Sequence, residues 1–474
     1  MIIQYKNILR SIALGVISFL AINAQAAGQI NQTSNTTPIL SQDSLPYTIT
    51  LEETPFILPS GLHSGAAGTY KGQWVIIGGR TNGLHGFGID PFPPKQQNTD
   101  VYVIDIDKQM TYSRSLADAS SGLSQEQIDQ LSVTSPQYSQ VGNTLYICGG
   151  YGVDTATNEF GTKTTLTAVN LPKLIKWVKR GKGSVACAIR QTNHPWMQVT
   201  GGFMTIDNNH LQGLLIFGQN FDGVYTPSSN GQYTEQVRNF QIIDTGKELT
   251  VQPRKSEESM APYRRRDLNV VPMIKKGKPG YVALSGVFTL AGGIWTVPVT
   301  VSFDGSTNMK DPNNPNTFKQ GMNNYASATA QLYSKSHKTN YILLLGGLSY
   351  GYFDNGTFMT DEEVPFINQV TTVKIDRHCE FSQYIMEAEY PVILSQGTNP
   401  GNRLIFGTSA YFFNNEKVDD LVNGIINFDK IKGPTTIGFV VGGIMSTLPN
   451  TSSQSDSTAS PYIFRLVINP KDSL

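Results

Sequence analysis

The sequence has 474 residues, of which 36 are basic and 36 acidic, so its formal net charge at neutral pH is zero. This balance excludes the basic surface that nucleic acids and anionic membranes select, and we expect no nucleic-acid partner. Only 15% of the residues are charged, whereas glycine (45 residues), proline (25 residues) and aromatic residues (10%) are frequent. Such a composition favours many short strands and turns over long helices.

The first 26 residues have the pattern of a secretory signal peptide. Lys6 and Arg10 precede an apolar stretch over residues 12–22, and small residues stand at Ala24 and Ala26. Cleavage there leaves 474 − 26 = 448 residues. No later segment approaches the roughly 18 apolar residues of a membrane helix. We therefore expect an exported protein, periplasmic or secreted, with no integral membrane segment after signal cleavage.

A short apolar run that ends in glycine recurs six times along the chain. The runs occupy residues 74–79, 145–150, 214–219, 281–286, 341–347 and 438–443. Four of them end in two glycines, whereas the third ends in Gly218-Gln219 and the fourth in Ser285-Gly286. Repetition at this spacing is typical of β-propellers, in which each repeat is one small sheet.

Each apolar run has strand-like neighbours in a fixed order. In the first repeat a small-residue strand precedes it at residues 63–70, and alternating strands follow at residues 101–105 and 110–116. The last repeat lacks a fourth strand, but residues 47–53 supply a spare one. We predict an all-β fold, a six-bladed propeller closed by this N-terminal strand, which completes the last blade.

These patterns divide the chain into four parts. Residues 1–26 form the signal peptide, 27–46 a disordered leader, 47–470 a single propeller domain and 471–474 a tail. Helical insertions are predicted at residues 124–131, 170–181 and 416–426, and a mobile polar loop at residues 447–460. Cys148 lies inside an apolar run and is expected to be buried.

The apolar strand that ends in Gly-Gly, followed by an aromatic-containing strand, resembles the kelch repeat. The resemblance covers most of residues 47–470 and is carried by Gly78-Gly79 with Tyr102, Gly149-Gly150, Gly346-Gly347 and Gly442-Gly443. The tryptophan usual near the end of a kelch unit is mostly absent. Kelch-like propellers include protein-binding platforms and, among exported proteins, enzymes such as galactose oxidase and the periplasmic sialic acid mutarotase. The resemblance therefore implies a fold and leaves the function open.

In every repeat but the fourth, a long loop joins the second and third strands, and these loops lie on one face. In the fourth repeat only residues 289–293 join the second and third strands. The loop face is therefore low at this repeat, beside an arginine-rich segment. Arginine presents a planar fork suited to carboxylate or phosphate. The candidate ligand-binding residues are Arg264, Arg265, Arg266, Asp267, Arg238, Tyr225 and His63, and the weak catalytic candidates are Glu235 and Arg265. The alternative is that the arginines form internal ion pairs with Asp267, Glu257 or Glu258.

Two functions remain open at this point. The first is a monomeric binding module that contacts a protein or a carbohydrate through the long-loop face. The alternative is an enzyme acting on a sugar acid, resembling the mutarotase, with an arginine for the carboxylate and Glu235 for proton transfer. No cofactor and no metal is predicted. Galactose oxidase needs a copper site with two tyrosines, two histidines and a cysteine crosslinked to one tyrosine, whereas His378-Cys379 here follows a third strand, at the opposite end from the long-loop face.

Overall fold

The computed structural model describes residues 36–86, 90–225, 231–451 and 453–471, and strands predominate in it. No helix in these ranges has the length and apolar character needed to cross a membrane. The predicted signal peptide, residues 27–35 of the predicted leader and residues 472–474 of the predicted tail lie outside them. Residues 36–46 of the leader carry regular structure: Leu40–Ser41 pairs in parallel with Phe381–Glu389, and a 3-10 helix follows at Gln42–Ser44.

Most of the described strands belong to six antiparallel sheets, numbered in chain order, with the strands of each given in their order across the sheet. Sheets 1 to 3 consist of Ala66–Tyr70, Gln73–Ile77, Asp100–Asp105 and Met110–Ser115; of Gln137–Val141, Thr144–Cys148, Thr165–Asn170 and Ile189–Asn193; and of Phe203–Ile206, Gln212–Ile216, Val237–Asp244 and Leu249–Pro253. Sheets 4 to 6 consist of Asn269–Lys275, Lys278–Leu284, Val299–Ser302 and Thr307–Met309; of Ala328–Ser334, Thr339–Leu348, Phe366–Ile375 and Phe381–Glu389; and of Tyr411–Asn414, Thr435–Val441, Ile463–Pro470 and Tyr47–Glu53. Leu40–Ser41 and Ile426–Asn427 extend sheet 5 at its two edges.

The fourth strand of sheet 6 comes from the N-terminal end of the described chain. Tyr47–Glu53 lies antiparallel to Ile463–Pro470 along its whole length. Alternate residues of a strand point to the same side, and Tyr47, Ile49 and Leu51 accordingly lie in the core. This sheet therefore joins residues near both ends of the described chain.

Four of the predicted long loops contain short strands of their own. These strands are Tyr151–Asp154 with Glu159–Thr162, Gln219–Asn220 with Gln232–Tyr233, Gly351–Asp354 with Thr357–Thr360, and Ile405–Thr408 with Ile444–Ser446 and Ser457–Ala459. The last group overlaps residues 447–460, which were predicted to form a mobile loop. That prediction is wrong for Ser457–Ala459, because this segment is paired with Ile444–Ser446.

The second strand of each sheet contains an uninterrupted apolar run because neighbouring sheets cover both of its faces. In sheet 3, Leu215 belongs to the core cluster shared with sheet 2, whereas Leu214 and Ile216 belong to the cluster shared with sheet 4. A strand buried on both faces carries a continuous apolar run instead of the usual alternation. The six apolar runs of the sequence are these doubly buried strands.

Each apolar run ends in two residues with left-handed backbone, and the second of them is a glycine in all six sheets. These glycines are Gly79, Gly150, Gly218, Gly286, Gly347 and Gly443, all with positive φ. A Cβ on Gly79 would lie 2.2 Å from the carbonyl oxygen of His63, so no side chain fits there. In sheet 3 the pair is Phe217-Gly218, one residue earlier than the Gly218-Gln219 pair that the sequence pattern predicted.

The core is divided into clusters that each join two sheets. Five clusters join sheets 1 and 2, 2 and 3, 3 and 4, 4 and 5, and 5 and 6. A further cluster joins sheet 6 to sheet 1, where the Trp74 ring stacks on Phe413 with their centroids 4.7 Å apart. In addition, the N–H of Gly443 donates to the carbonyl of Leu62, 2.9 Å away. The last sheet therefore packs against the first.

Two of the three predicted helices are confirmed. The α-helix Gln125–Leu131 begins with a capping box between Ser124 and Gln127, as its sequence pattern predicted. The α-helix Leu171–Arg180 has Asn170 as its N-cap and Gly181 as a left-handed C-cap. Both helices contribute to the core cluster between sheets 1 and 2.

The helix predicted at residues 416–426 is absent from this described segment. The chain instead reverses at Asn423-Gly424, where both residues have positive φ (+55° and +74°). The N–H of Leu421 donates to the carbonyl of Ile425, 2.8 Å away, as in a hairpin. Asn-Gly is the dipeptide most suited to such a tight turn, and it overrides the helical spacing of the apolar residues.

Cys148 is buried, as expected, and burial raises the pKa of its thiol to about 12. Its Sγ lies 3.4 Å from the carbonyl oxygen of Met197. Cys187 and Cys379 are also free thiols. Within the described residues no group of three or more His, Cys, Asp or Glu side chains is placed to hold a metal ion.

Candidate functional site

Just before the first strand of every sheet, one partly buried residue adopts left-handed backbone. These six equivalent residues, called the central ring below, are Ser64, Ser135, Gly201, Asp267, Ala326 and Ser409, with φ between +49° and +66°. Five of their N–H groups donate to the carbonyl of the equivalent residue in the neighbouring sheet, over 2.5–3.4 Å. One of these bonds runs from Ser64 to Ser409 and so links sheet 1 to sheet 6.

The central ring borders a cavity of about 140 Å³ that residues from all six sheets line. A cavity of roughly 150 Å³ holds one benzene-sized molecule. The cavity therefore matches a single small ring in volume. Its charged or titratable lining side chains include His63, Arg80, His85, Arg266 and Asp267.

Arg266 and Asp267 lie at the cavity and form an ion pair. Arg266 Nη1 is 2.6 Å from Asp267 Oδ2, and Arg266 Nε donates to the hydroxyl of Tyr233, 3.1 Å away. Burial lowers the pKa of Arg266, but Asp267 and the hydroxyls of Tyr233 and Tyr225 outweigh it and raise the pKa overall. Neighbouring residues of a regular strand point to opposite sides. Both line the cavity because the left-handed backbone of Asp267 breaks the alternation.

Arg80 is a second guanidinium at the cavity, and its side chain has no ion pair. It is only 2% exposed, and it donates to Asn82 Oδ1 and to the carbonyl of Pro93, each over 2.9 Å. No carboxylate of the described residues lies within ion-pair distance of it, although the negative charge of Asp90 acts to raise its pKa. Burial lowers its pKa to about 10, so it remains cationic at neutral pH.

Arg80 is not among the site residues predicted from the sequence, although the pattern of the repeats marks its position. In each repeat, the residue just after the left-handed pair that ends the apolar run forms an antiparallel β-bridge with the residue just before the central ring. The pairs are His63 with Arg80, Thr134 with Tyr151, Thr200 with Gln219, Arg266 with Val287, Tyr325 with Leu348 and Thr408 with Ile444. Arg80 and Arg266 are the only residues of these pairs whose side chains are charged at neutral pH, so the repeat alignment alone would have found both.

His63 is buried and neutral beside Arg80. Burial lowers the pKa of His63 to about 3, and the positive charge of Arg80 acts in the same direction. Its Nε2 lies 2.9 Å from the carbonyl oxygen of Asn82, which can only accept, so Nε2 carries the proton. Its Nδ1, 2.9 Å from Ser64 Oγ, is then the acceptor and the Ser64 hydroxyl the donor.

Aromatic rings form the wall of the cavity toward the loops. Phe92 lies 5.1 Å from His85, 5.3 Å from Tyr151 and 5.7 Å from Tyr225, measured between ring centroids. The Tyr151 hydroxyl donates to the carbonyl of Gly223 over 2.8 Å, and burial raises its pKa to about 12. Burial also lowers the pKa of His85. The wall is therefore uncharged at neutral pH, and the charges of the cavity come from Arg80, Arg266 and Asp267.

Arg264 and Arg265 are adjacent to this site but lie outside the cavity lining. Arg265 is fully buried, and its guanidinium donates to the carbonyls of Pro262 and Ser285 over 3.0 and 3.1 Å. Burial lowers the pKa of Arg265 to about 9. Arg264 donates to the carbonyl of Phe288 over 2.6 Å and lies over the ring of Tyr233. Both arginines thus bond the protein itself.

Arg238 and Glu235 also lie outside the cavity lining. Arg238 Nη1 donates to the carbonyl of Trp196 over 2.8 Å, and burial lowers its pKa. Glu235 has left-handed backbone, and its carbonyl accepts the N–H of Met260. Of the predicted site residues the structure therefore brings together Arg266, Asp267, Tyr225 and His63, to which it adds Arg80.

Comparisons with known proteins give a structural likeness only. No family model matches the chain, and no curated protein matches it. Among solved structures, one of YjhT is similar over 87% of this chain and 98% of that chain, with 10% sequence identity and a TM-score of 0.45.

Proposed function

We propose that the chain is an exported, kelch-like propeller whose six sheets are its blades and whose N-terminal strand closes the ring. The cyclic order of the core clusters supports this arrangement, since each joins two consecutive sheets and one joins sheet 6 to sheet 1. The pairing of Tyr47–Glu53 with Ile463–Pro470 supports closure by the N-terminal strand. The hydrogen bonds of the central ring support a common axis, which runs through the cavity.

We infer that this propeller binds one small organic anion, of the sugar-acid class, in the central cavity. The observation that carries the proposal is the buried guanidinium of Arg80, which lines the cavity with no described carboxylate within ion-pair distance; Asp90, whose charge it feels, is not in the cavity lining. A buried charge is costly unless it is paired. Arg266 is neutralised by Asp267, so the excess charge of Arg80 makes the cavity a site for one negative group.

The size of the cavity favours a small ligand over the protein or glycan platform that the long loops suggested. The loops enclose the cavity with aromatic rings, and 140 Å³ admits about one ring. Proton transfer to a bound ligand has one carboxylate available in the lining, that of Asp267. Glu235, the earlier candidate for that role, is not in the lining. An anomer-exchange assay on a bound sugar acid tests for turnover.

Replacement of Arg80 by glutamine is expected to weaken binding of the anion. A hydrogen bond to a charged group contributes roughly 1.5–3 kcal/mol, so the dissociation constant should rise by roughly 10- to 150-fold. The measurement is calorimetric titration of the protein with glucuronate, galacturonate, N-acetylneuraminate and benzoate at low ionic strength. The neutral methyl esters of the same acids should not bind.

Arg238→Gln is the matched control, because Arg238 is also a largely buried arginine bonded to a backbone carbonyl, but it lies outside the cavity lining. It should leave the dissociation constant unchanged. Equal losses for the two variants, or equal binding of an acid and its methyl ester, would sink the proposal.

A further inference from the structure

The central ring has two unlike halves. Going round the ring, the residues from sheets 6, 1 and 2 are all serines, called the serine arc below: Ser409, Ser64 and Ser135. The equivalent residues from sheets 3, 4 and 5 are Gly201, Asp267 and Ala326. All six share the same backbone conformation, so the two halves differ only in their side chains. Half of the ring therefore presents hydroxyl groups and the other half presents a carboxylate.

His63 fixes the direction of one of these hydroxyls. Because His63 accepts at Nδ1, the Ser64 hydroxyl donates its hydrogen in that bond, and its oxygen lone pairs remain available to accept. Burial lowers the pKa of His63, and this keeps the arrangement over the neutral pH range. Ser64 is therefore an acceptor that faces the cavity, and a ligand hydroxyl is the complementary donor.

The other two hydroxyls of the arc have no hydrogen bond to any described residue, although both serines line the cavity. Ser135 and Ser409 use their carbonyls within the ring, where these accept N–H groups of Gly201 and Ser64. Covering such hydroxyls with an apolar ligand would leave them unpaired, at roughly 1–3 kcal/mol each. A site built to pair with hydroxyls rejects ligands that lack them.

We propose that the serine arc determines specificity by binding hydroxyl groups of the ligand, and that His63 is a positioning residue for Ser64. The proposal rests on the proposed function, since it assumes an anion in the same cavity. The ligand then has a polyhydroxylated ring. Arg80 binds its anionic group, and the serine arc binds its hydroxyl groups.

The test compares two anions of equal charge and similar size, a uronate (glucuronate or galacturonate) and cyclohexanecarboxylate, by calorimetric titration. The uronate should bind the native protein more tightly. Ser64→Ala should weaken uronate binding about fivefold, which corresponds to a hydrogen bond of about 1 kcal/mol, and leave cyclohexanecarboxylate unchanged. Ser64→Gly, which suits the left-handed backbone, should give the same result if the alanine variant folds poorly.

His63→Asn should act in the same selective way, because it removes the acceptor that orients Ser64. A loss that is equal for both anions would mean that His63 only supports the fold, and would overturn its positioning role. Equal affinities of the two anions, with no selective effect of Ser64, Ser135 or Ser409 variants, would overturn the serine arc while the Arg80 result stands. If Arg80→Gln leaves both affinities unchanged, the proposed anion site itself falls.

Discussion

His63 is a histidine that is kept neutral by its surroundings. It is 4% exposed, both ring nitrogens are engaged, and the neighbouring Arg80 carries a positive charge. Burial and the charge of Arg80 lower its pKa from 6.5 to about 3, although the bond to the Asn82 carbonyl acts in the opposite direction. Protonation would bring a second buried charge next to Arg80, so the folded protein resists it.

This histidine is expected to make the protein less stable in mild acid. Between pH 6.5 and 3 the unfolded chain binds a proton at His63 that the folded protein does not, so stability falls as the pH is lowered. The loss of stability is absent above about pH 6.5, begins as the pH falls below that value, and reaches roughly 2 kcal/mol at pH 5. Urea unfolding at pH 7, 6 and 5 measures it. His63→Asn should reduce the slope of the unfolding free energy against pH by the amount that corresponds to about one bound proton, whatever it does to stability at pH 7.

The exposed residue His378 offers the control. His378→Asn should leave the pH dependence of the unfolding free energy as it is in the native protein. The prediction fails if His63→Asn keeps the native slope, because the acid sensitivity would then come from other groups.

The hairpin around Asn423-Gly424 connects sheets that are distant in sequence. Asn423 Nδ2 donates to the hydroxyl of Tyr281 in sheet 4 over 3.0 Å, although the hairpin emerges from sheet 6. Lys417, in the same segment, pairs with Asp107 beyond the third strand of sheet 1, at 3.4 Å. This insertion therefore bridges three sheets and accounts for the widest spacing between the glycine pairs.

Replacements of Asn423 should separate its two contributions to the hairpin. Asn423→Gly keeps the left-handed backbone at low cost and removes the bond to Tyr281, so it should cost about 1 kcal/mol. Asn423→Ala loses the bond and also places alanine at positive φ, so it should cost about 1 kcal/mol more. The free energy of unfolding in urea measures both. Equal effects of the two variants would contradict the role of the left-handed turn.

The elements that the sequence predicted well are those fixed by local pattern. The doubly buried second strands appear as continuous apolar runs, and the two confirmed helices carry caps at Ser124 and Asn170. The prediction of a third helix was wrong because it relied on the apolar spacing at residues 416–426 and gave too little weight to Asn423-Gly424, a dipeptide that favours a tight turn. Arg80 was missed for a different reason: its signal appears only when the repeats are aligned with one another, because it takes the position that Val287 holds in the fourth repeat, beside the central ring.

At the scale of the whole molecule, contacts join the first sheet to the last, and the N-terminal strand completes the last sheet. The Trp74 ring stacks on Phe413, the N–H of Gly443 bonds the carbonyl of Leu62, and the N-terminal strand lies beside Ile463–Pro470. Loss of these contacts, called the seam below, would expose the core cluster between sheets 6 and 1. The seam is therefore the place where closure can be tested directly.

A disulfide across the seam should stabilise the protein if the N-terminal strand closes the ring. Thr50 and Val467 stand directly opposite each other in the antiparallel pair and point away from the core side of Tyr47 and Ile49. Opposite residues of such a pair have Cα atoms within about 5.5 Å, which suits a disulfide. Cysteines at both positions, in a background where Cys187 and Cys379 are replaced by serine, should raise the free energy of unfolding by about 2–4 kcal/mol.

The gain comes mainly from restricting the unfolded chain, because this bond would enclose nearly the whole domain in one loop. A reducing agent should abolish this gain in stability. Cysteines at Thr50 and Ile468, one residue out of register, serve as the control, since neighbouring residues of a strand face opposite sides. That pair should neither form the bond readily nor raise the unfolding free energy. If both pairs crosslink equally well, or the bond at Thr50 and Val467 forms without raising stability, the N-terminal strand does not hold the ring closed, and the seam depends on the contacts between sheets 6 and 1, such as the packing of Trp74 on Phe413.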